Sequence, residues 1–380
     1  MKKKLNVLML FGGRSQEHEA SIGSSLQILD VLFKEKKYNV IPVFVSPNGN
    51  WYDGKEILQS LKKSQKINFK LFSRAVLSPD TDKSLYIFNS SKLVKKITVD
   101  VAFPWMLGPF GEDGTLQGLL EMADIPYVGS GVFASACGFN KLITKNYLKS
   151  FDIPQVEYLA IYKDGYTEDK KKLILDKISK SISLPCFVKP ASCGSSIGVS
   201  KVKNKKDIEA AIELAFKYDQ SIIIESAVKN AIEVECSVVG NQDPIVSTPG
   251  QVEYDGEFYD FNAKYLSEKW NVLIPPKLSH NKVKEIKDLA KKVFLALGAS
   301  GGARVDFLVD SNNYQIYFNE INTVPSFRST GMFARLLVTV GYSYSKVINT
   351  LIKLALERHN NIKERHTDFS SGTDWFLKKS

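Results

Sequence analysis

The stretch Gly301–Asn322, GGARVDFLVDSNNYQIYFNEIN, reads as two strands joined by a hairpin turn at Ser311-Asn312-Asn313. Residues two apart on a strand face the same side, so Arg304 shares a face with Asp306, and Glu320 shares one with Asn322. The turn makes the strands antiparallel neighbours and brings these four polar groups, two of them acidic, onto one patch. Three oxygen donors in such a patch suit Mg²⁺, which takes carboxylates together with waters and substrate phosphates. The competing reading is a sheet face whose charges pair as Arg with Asp and Lys with Glu. The strongly apolar flanks argue against a solvated face. Downstream, TVPSFRSTGMF (323–333) reads as a polar loop hinged on Pro325, with Arg328 in its middle.

Working outward, AIEVECSVVGN (231–241) alternates with period two, the mark of a half-exposed strand. GEFYDFNAKYL (256–266) follows, then helices over Lys282–Leu297 and Tyr344–Arg358. A C-terminal unit over 233–358 results, followed by an aperiodic polar tail over 359–380 with an aromatic anchor at Trp375–Phe376. A central unit, 142–232, holds a lysine-rich helix near Lys170–Lys180, the strand LPCFVKPA (184–191), the loop SCGSSIGVSKV (192–202), a helix over Lys206–Phe216 and the strand SIIIES (221–226). The loop's backbone N–H groups and hydroxyls suit phosphate oxygens, and Lys189 adds positive charge at the strand end. It is not a Walker A loop, since G-x-x-x-x-G-K-[ST] is absent. With the acidic patch, it suggests a nucleoside triphosphate between two domains, and Lys264 is a further candidate for phosphate.

The first unit, 1–141, alternates strand-like LNVLMLF, YNVIPVFVS, SLYIF and VDVAFPWM with helical segments. Alternation with glycines at strand ends predicts an open parallel sheet, whose ligands sit beyond the carboxyl ends of the strands. GGRSQEHE (12–19) and GPFGEDG (108–114) lie at such ends.

Composition narrows the class. With 44% hydrophobic and 24% charged residues over 380 positions, the chain is that of a soluble globular protein. Its net charge of +10 comes from lysines spread over the whole length, which read as solvated surface rather than a nucleic-acid patch. Cys137, Cys186, Cys193 and Cys236 have no C-x-x-C or zinc spacing, as expected of a reducing compartment. The N-terminal MKKKLNVLMLFGG reads as a first strand turning into a glycine loop, not a signal peptide. No apolar run approaches the ~20 residues that span a bilayer. A cytoplasmic protein without a membrane or nucleic-acid partner is the expectation. His18, His280, His359 and His366 sit near no Ser–Asp set, which argues against a serine hydrolase.

The segments GGRSQEHEAS, GPFGEDGTLQG, VGSGVFASACGFNKLITK, FVKPASCGSSIGVSKV, IEVECSVVGN, EFYDFNAKY, ARVDF and FNEINTVP, in this order, resemble the D-alanine–D-alanine ligases of the ATP-grasp superfamily, over nearly the whole chain to about Leu354. The resemblance implies a three-domain α/β fold, α+β in its C-terminal part, with ATP between the second and third domains. It assigns Lys141, Lys189 and Lys264 to phosphate, Ser196 to the ATP set, Phe258 to the side of the adenine, and Glu225, Ser226 and Val228 to the hinge facing the base. Glu233 would bind ribose, and Asn319 would complete the ATP set. Asp306, Glu320 and Asn322 match the family's magnesium ligands, with manganese as a substitute. Glu17, Ser195 and Tyr265 match the set that orients the first D-alanine, and Glu112 a substrate contact. Arg304 and the backbone N–H of Ser326, just after Pro325, match the oxyanion donors. A loop over Asp255–Leu273 would cover the site, and a homodimer through the N-terminal domain is the family's habit.

Departures fall near the substrates. Leu107 replaces the family's His before GPFGEDG, and Ser326 its Gly after Pro325. Gly331 stands where a Ser hydroxyl binds the acceptor carboxylate, followed by Met332 where Leu is usual. Arg328 has entered the same loop, either to take over carboxylate binding in a bidentate manner or as a plain surface residue. The expected activity is ATP-dependent formation of D-alanyl-D-alanine for peptidoglycan. The alternatives are the same chemistry with another acceptor (D-lactate, D-serine or another amino acid) and a non-catalytic nucleotide-binding homologue.

Overall fold

The computed structural model describes residues 3–63, 67–254, 270–328, 331–367, 369 and 371–373. The first unit runs β1 (Leu5–Gly12), α1 (His18–Lys34), β2 (Tyr38–Val45), β3 (Trp51–Asp53), α2 (Gly54–Lys62), β4 (Arg74–Leu77), β5 (Ser84–Asn89), β6 (Lys92–Thr98), β7 (Val101–Pro104) and α3 (Thr115–Met122). Two helices follow, α4 (Val132–Phe139) and α5 (Lys141–Leu148). The central unit holds β8 (Tyr158–Tyr162), α6 (Glu168–Ser181), β9 (Cys186–Pro190), β10 (Ser200–Val202), α7 (Ile208–Ala215) and β11 (Ser221–Ser226). The last comprises β12 (Ala231–Gly240), β13 (Ile245–Val246), β14 (Gly250–Tyr254), β15 (Trp270–Leu273), α8 (His280–Ala296), β16 (Gly301–Asp310), β17 (Ile316–Asn322), α9 (Met332–Val338) and α10 (Tyr344–Lys363).

Strand β1 is apolar on both sides because both its faces are covered. Val7, Met9 and Phe11 pack with Ile28, Leu29 and Leu32 of α1, and with Val347, Ile348 and Leu351 of α10. Leu8 and Leu10 face Leu116 and Leu120 of α3. The first sheet, ordered β6-β5-β4-β3-β2-β1-β7, is open as expected but parallel only where β1 meets β2 and β7. Beyond β2 it is antiparallel. The two-residue link Ser90-Ser91 between β5 and β6 shows why: parallel neighbours need a crossover of a dozen or more residues.

The central sheet, β10-β9-β11-β8, is antiparallel and packs on α6 and α7 through its own core. In the third sheet β12 pairs with β16 along its whole length, and β16 with β17. Val234, Cys236 and Val238 turn to Ile286, Val293 and Phe294 of α8. The other face carries Glu233, Glu235 and Ser237, and it is not the solvent face that the alternation predicted. Glu235 is 6% and Ser237 0% exposed, because α9 packs against this strand, while Glu233 lines the cavity.

Three further expectations are corrected. The β16–β17 turn takes five residues, 311–315, with Tyr314 at φ 57°, rather than three. Met332 opens a helix where a loop to Phe333 was read; Gly331 precedes it and carries no capping side chain to signal a start. Helix α10 continues five residues into the segment read as a tail, where His359 Nε2 lies 2.8 Å from Asp124 Oδ1 and Arg358 donates to the carbonyls of Gly129 and Tyr127. The anchor read at Trp375–Phe376 lies outside the described residues.

Candidate active site

The antiparallel sheets of the central and third units face each other across a cavity of about 780 Å³. Its lysines come from two local features. Helix α5 starts at Lys141, where Asn140 Oδ1 accepts from Ile143 N at 2.9 Å and caps the first turn. The Lys141 ammonium donates to the Cys193 carbonyl at 2.7 Å and pairs with Glu320 Oε2 at 3.2 Å. Burial works against its charge, but Glu320 outweighs that and holds its pKa above the usual lysine value. One turn on, Lys145 Nζ lies 2.7 Å from Glu225 Oε1, and Lys189 Nζ, from β9, lies 2.6 Å from Glu225 Oε2. Burial raises the Glu225 pKa, but the two ammonium groups overcome it and hold the carboxyl at about 2. Glu225, Ser226, Val228 and Glu233 line the cavity along the β11–β12 link, with Tyr254 Oη donating to Glu233 at 2.9 Å.

The loop after β9 closes one end. Ser195 (φ 51°) and Ser196 (φ 58°) are both left-handed, a conformation rare for residues other than glycine and typical of functional loops. Ser195 Oγ donates to Glu17 Oε1 across the domains. Gly194 permits this approach, since a Cβ there would stand 2.3 Å from Glu17 Oε2. Behind Glu17, the buried Glu112 accepts from Gly108 N at 2.8 Å. Burial first, and then the charge of Glu17, push the Glu112 pKa well above the carboxylate range. A raised folded pKa means that this group favours folding at low pH and opposes it as pH rises through the carboxylate range and beyond. Glu112→Gln, which keeps the acceptor, is therefore expected to gain stability relative to the parent between pH 5 and 8. The gain is at most about 1.4 kcal/mol per pH unit, read by denaturant titration at both pH values. Leu107, in place of a histidine, is 5% exposed and packs into the core.

The third wall is the hairpin. Register sets Arg304 opposite Asn322 and Asp306 opposite Glu320, with a bulge at Asp306/Phe307 beside the site. Arg304 grips Asp306 through Nε–Oδ1 (2.8 Å) and Nη2–Oδ2 (2.6 Å), and its Nε lies 3.0 Å from Glu235 Oε2. Asn322 Nδ2 donates to Asp306 Oδ2 at 3.2 Å. Asp306 and Glu235 together keep Arg304 charged despite its burial. The Arg–Asp and Lys–Glu pairs of the competing reading are thus present, but in a buried cleft, not on a solvated face. Among the described residues no cluster of three or more His, Cys, Asp or Glu is arranged for a metal. Two carboxylates and an amide are what this hairpin brings together.

The loop beyond Pro325 packs on α1. Ser24 Oγ accepts from Phe327 N at 3.2 Å and lies 3.5 Å from Ser326 Oγ. The Arg328 guanidinium lies over Gly23, where a Cβ would stand 3.1 Å from its Nε and Nη2. Gly331 N donates to the Arg328 carbonyl at 2.8 Å, and a Cβ at 331 would come within 3.0 Å of the Ser326 carbonyl. The glycine therefore suits this turn, and Met332 is buried behind it. Phe258, Lys264 and Tyr265 lie outside the described residues. Sequence reasoning missed Lys145 and Glu235. The four-residue spacing in Lys141-Leu-Ile-Thr-Lys145 was a usable signal for the first, and the parity shared with Glu233 for the second.

Two antiparallel sheets closing on a lysine-lined cleft that ends at paired carboxylates define the ATP-grasp class of ligases. Family models described as D-ala D-ala ligase N-terminus and D-ala D-ala ligase C-terminus match residues 6–130 and 147–353, and the chain belongs to the D-alanine–D-alanine ligase family. It is 42% identical over 363 residues to the D-alanine–D-alanine ligase of Caldicellulosiruptor bescii, covering 95% of this chain and 97% of that one. To the ligase of the same name from Chloroherpeton thalassium it is 40% identical over 376 residues, covering 96% and 100%. Among solved structures it resembles the VanG D-Ala:D-Ser ligase from Enterococcus faecalis (TM-score 0.80, 30% identity, 93% of this chain, 100% of that one). It resembles the D-alanine-D-alanine ligase from Coxiella burnetii to the same degree (TM-score 0.78, 30% identity, 95% and 97%).

Proposed function

We propose that the chain joins two D-alanines into D-alanyl-D-alanine at the expense of ATP, supplying peptidoglycan precursors. The observation that carries this reading is the cleft itself, with Lys141 and Lys189 at its phosphate end, Glu320 beside them, and Glu17–Ser195 closing the side toward the first unit. ATP lies with its base on Glu225, Ser226 and Val228, its ribose at Glu233 and its phosphates at Lys141, Lys189 and Ser196, near Asn319. Lys264, Phe258 and Tyr265 complete the set.

A carboxylate is a poor electrophile, so the first D-alanine must be activated. Glu17 complements its ammonium group, and Ser195 holds Glu17 in place. The substrate carboxylate oxygen attacks the γ-phosphorus, ADP leaves, and an acylphosphate forms. Lys141 and Lys189 neutralise the charge in transfer. Asp306, Glu320 and Asn322 are hard oxygen donors in register, and they fit Mg²⁺, or Mn²⁺ in its stead. The ion adds positive charge to the transferring phosphoryl group when bound. The deprotonated amine of the second D-alanine attacks the acyl carbon. Arg304 and the Ser326 N–H stabilise the oxyanion, and phosphate departs. D-Alanine labelled with ¹⁸O in its carboxylate should pass one label into the released phosphate; unlabelled phosphate would rule out the acylphosphate.

One solved relative is named a D-Ala:D-Ser ligase and the other a D-alanine-D-alanine ligase at equal identity to this chain, so overall identity does not select the acceptor. Arg328, seated over Gly23, takes the acceptor carboxylate in place of the missing hydroxyl at Gly331. Arg328→Ala should raise KM for the acceptor about ten- to a hundredfold and leave KM for ATP unchanged. An unaltered acceptor KM removes Arg328 from the pocket. No helix among the described residues is long and apolar enough to cross a membrane, and a cytoplasmic homodimer is the working assembly, checked by light scattering.

A further inference from the structure

Helix α5 delivers a second lysine that the proposed chemistry does not use. Lys145 is 1% exposed and Glu225 3%, so both are buried where they border the cavity. The Lys145 ammonium touches Glu225 Oε1 at 2.7 Å and lies 3.5 Å from the Phe318 carbonyl on β17, with the Tyr158 ring 5.6 Å away. Glu225 thus stands between two ammonium groups, Lys145 on Oε1 and Lys189 on Oε2. The chain of three charges sums to one positive charge. Without Lys145 it would sum to zero, and Lys189 would be left to compensate the buried carboxylate.

We infer that Lys145 is a positioning residue for nucleotide binding: it neutralises Glu225 through Oε1, so that the charge of Lys189 remains available to a phosphate. A buried carboxylate with one cation for a partner holds it tightly, because no water competes. Shared between two cations, the same carboxylate holds each less firmly. Burial, the larger effect, favours a neutral amine at Lys145, and the pull of Glu225 at 2.7 Å opposes it. Lys145 also bridges β11 to β17, so it sets Glu225 relative to the strand bearing Glu320.

The inference rests on ATP being the occupant of the cavity. The test is steady-state phosphate release with ATP, Mg²⁺ and D-alanine. Lys145→Met should raise KM for ATP at least about tenfold while KM for D-alanine stays within about twofold. Adding Glu225→Gln removes the carboxylate that traps Lys189; because Glu225 also faces the base, the rise in KM for ATP in the double variant should fall short of the product of the two single-variant rises by at least about threefold. Unchanged KM for ATP in Lys145→Met, or a rise in the double variant equal to the product of the two single rises, would overturn the role of Lys145 while leaving the nucleotide reading intact. A parent protein with no saturable dependence on ATP would sink the nucleotide reading itself. Should Lys145→Met fail to fold, Lys145→Arg against Lys145→Gln decides: the first should keep KM for ATP and the second raise it, and equal values overturn the inference.

Discussion

Glu320→Ala is expected to abolish ATP-dependent phosphate release, by about 10³-fold or more, the scale on which charge stabilisation of a transferring phosphoryl group operates. Glu320 serves two partners in this account: it is one of the two carboxylates offered to Mg²⁺, and it holds the Lys141 ammonium at 3.2 Å. The alanine variant loses both at once. The fold should survive, because β16 and β17 remain paired through their backbones and the Glu320 side chain is 22% exposed. Circular dichroism and a thermal melt close to the parent's, together with absent turnover, are the expected pair of results. Normal turnover would remove Glu320 from the metal set.

Arg304→Met is expected to damage the protein in two separable ways. Arg304 is the shared partner of Asp306 and Glu235, at 2.6 and 3.0 Å. Removing it leaves two buried carboxylates facing each other without a cation, a loss of about 3–5 kcal/mol in denaturant titration. Protonation of the orphaned acids relieves part of this, so the deficit should shrink as pH falls. Catalytically, the loss of one oxyanion donor costs about 10²–10³ in kcat. Adding Glu235→Gln should recover stability but not kcat. Recovery of both would mean that Arg304 is a structural counter-ion only.

The residues at which sequence reasoning succeeded share a cause. Arg304, Asp306, Glu320 and Asn322 sit on strands, where a period of two fixes the face and a short turn fixes the partner. A residue's face can then be counted off without knowing what covers it. Burial cannot be counted in that way. Glu235 alternates correctly within AIEVECSVVG, yet the same pattern fits a strand with a wet face and a strand covered on both faces. Lys145 looks like one more surface lysine among many, and only Glu225, eighty positions downstream, gives it a role. The mixed pairing of the first sheet was hidden for a related reason. Tyr52 meets Arg74 across a twenty-one-residue gap containing α2, which resembles the crossover of a parallel unit. Helix α9 was hidden by its opening, since Gly331 is a poor advertisement for a helix start. Arg328 was legible as a departure, but its seat over Gly23 was not, because a glycine inside α1 reads as helix weakness and not as room made for a neighbour.

The most direct test of the account is phosphate release from the purified protein with ATP, Mg²⁺ and a panel of D- and L-amino acids and D-hydroxy acids, with products identified by mass. The account predicts ATP-dependent release with D-alanine alone, one phosphate per D-alanyl-D-alanine formed. Release with no pair in the panel, from protein that still binds ATP, would contradict it and leave a nucleotide-binding homologue without ligase activity.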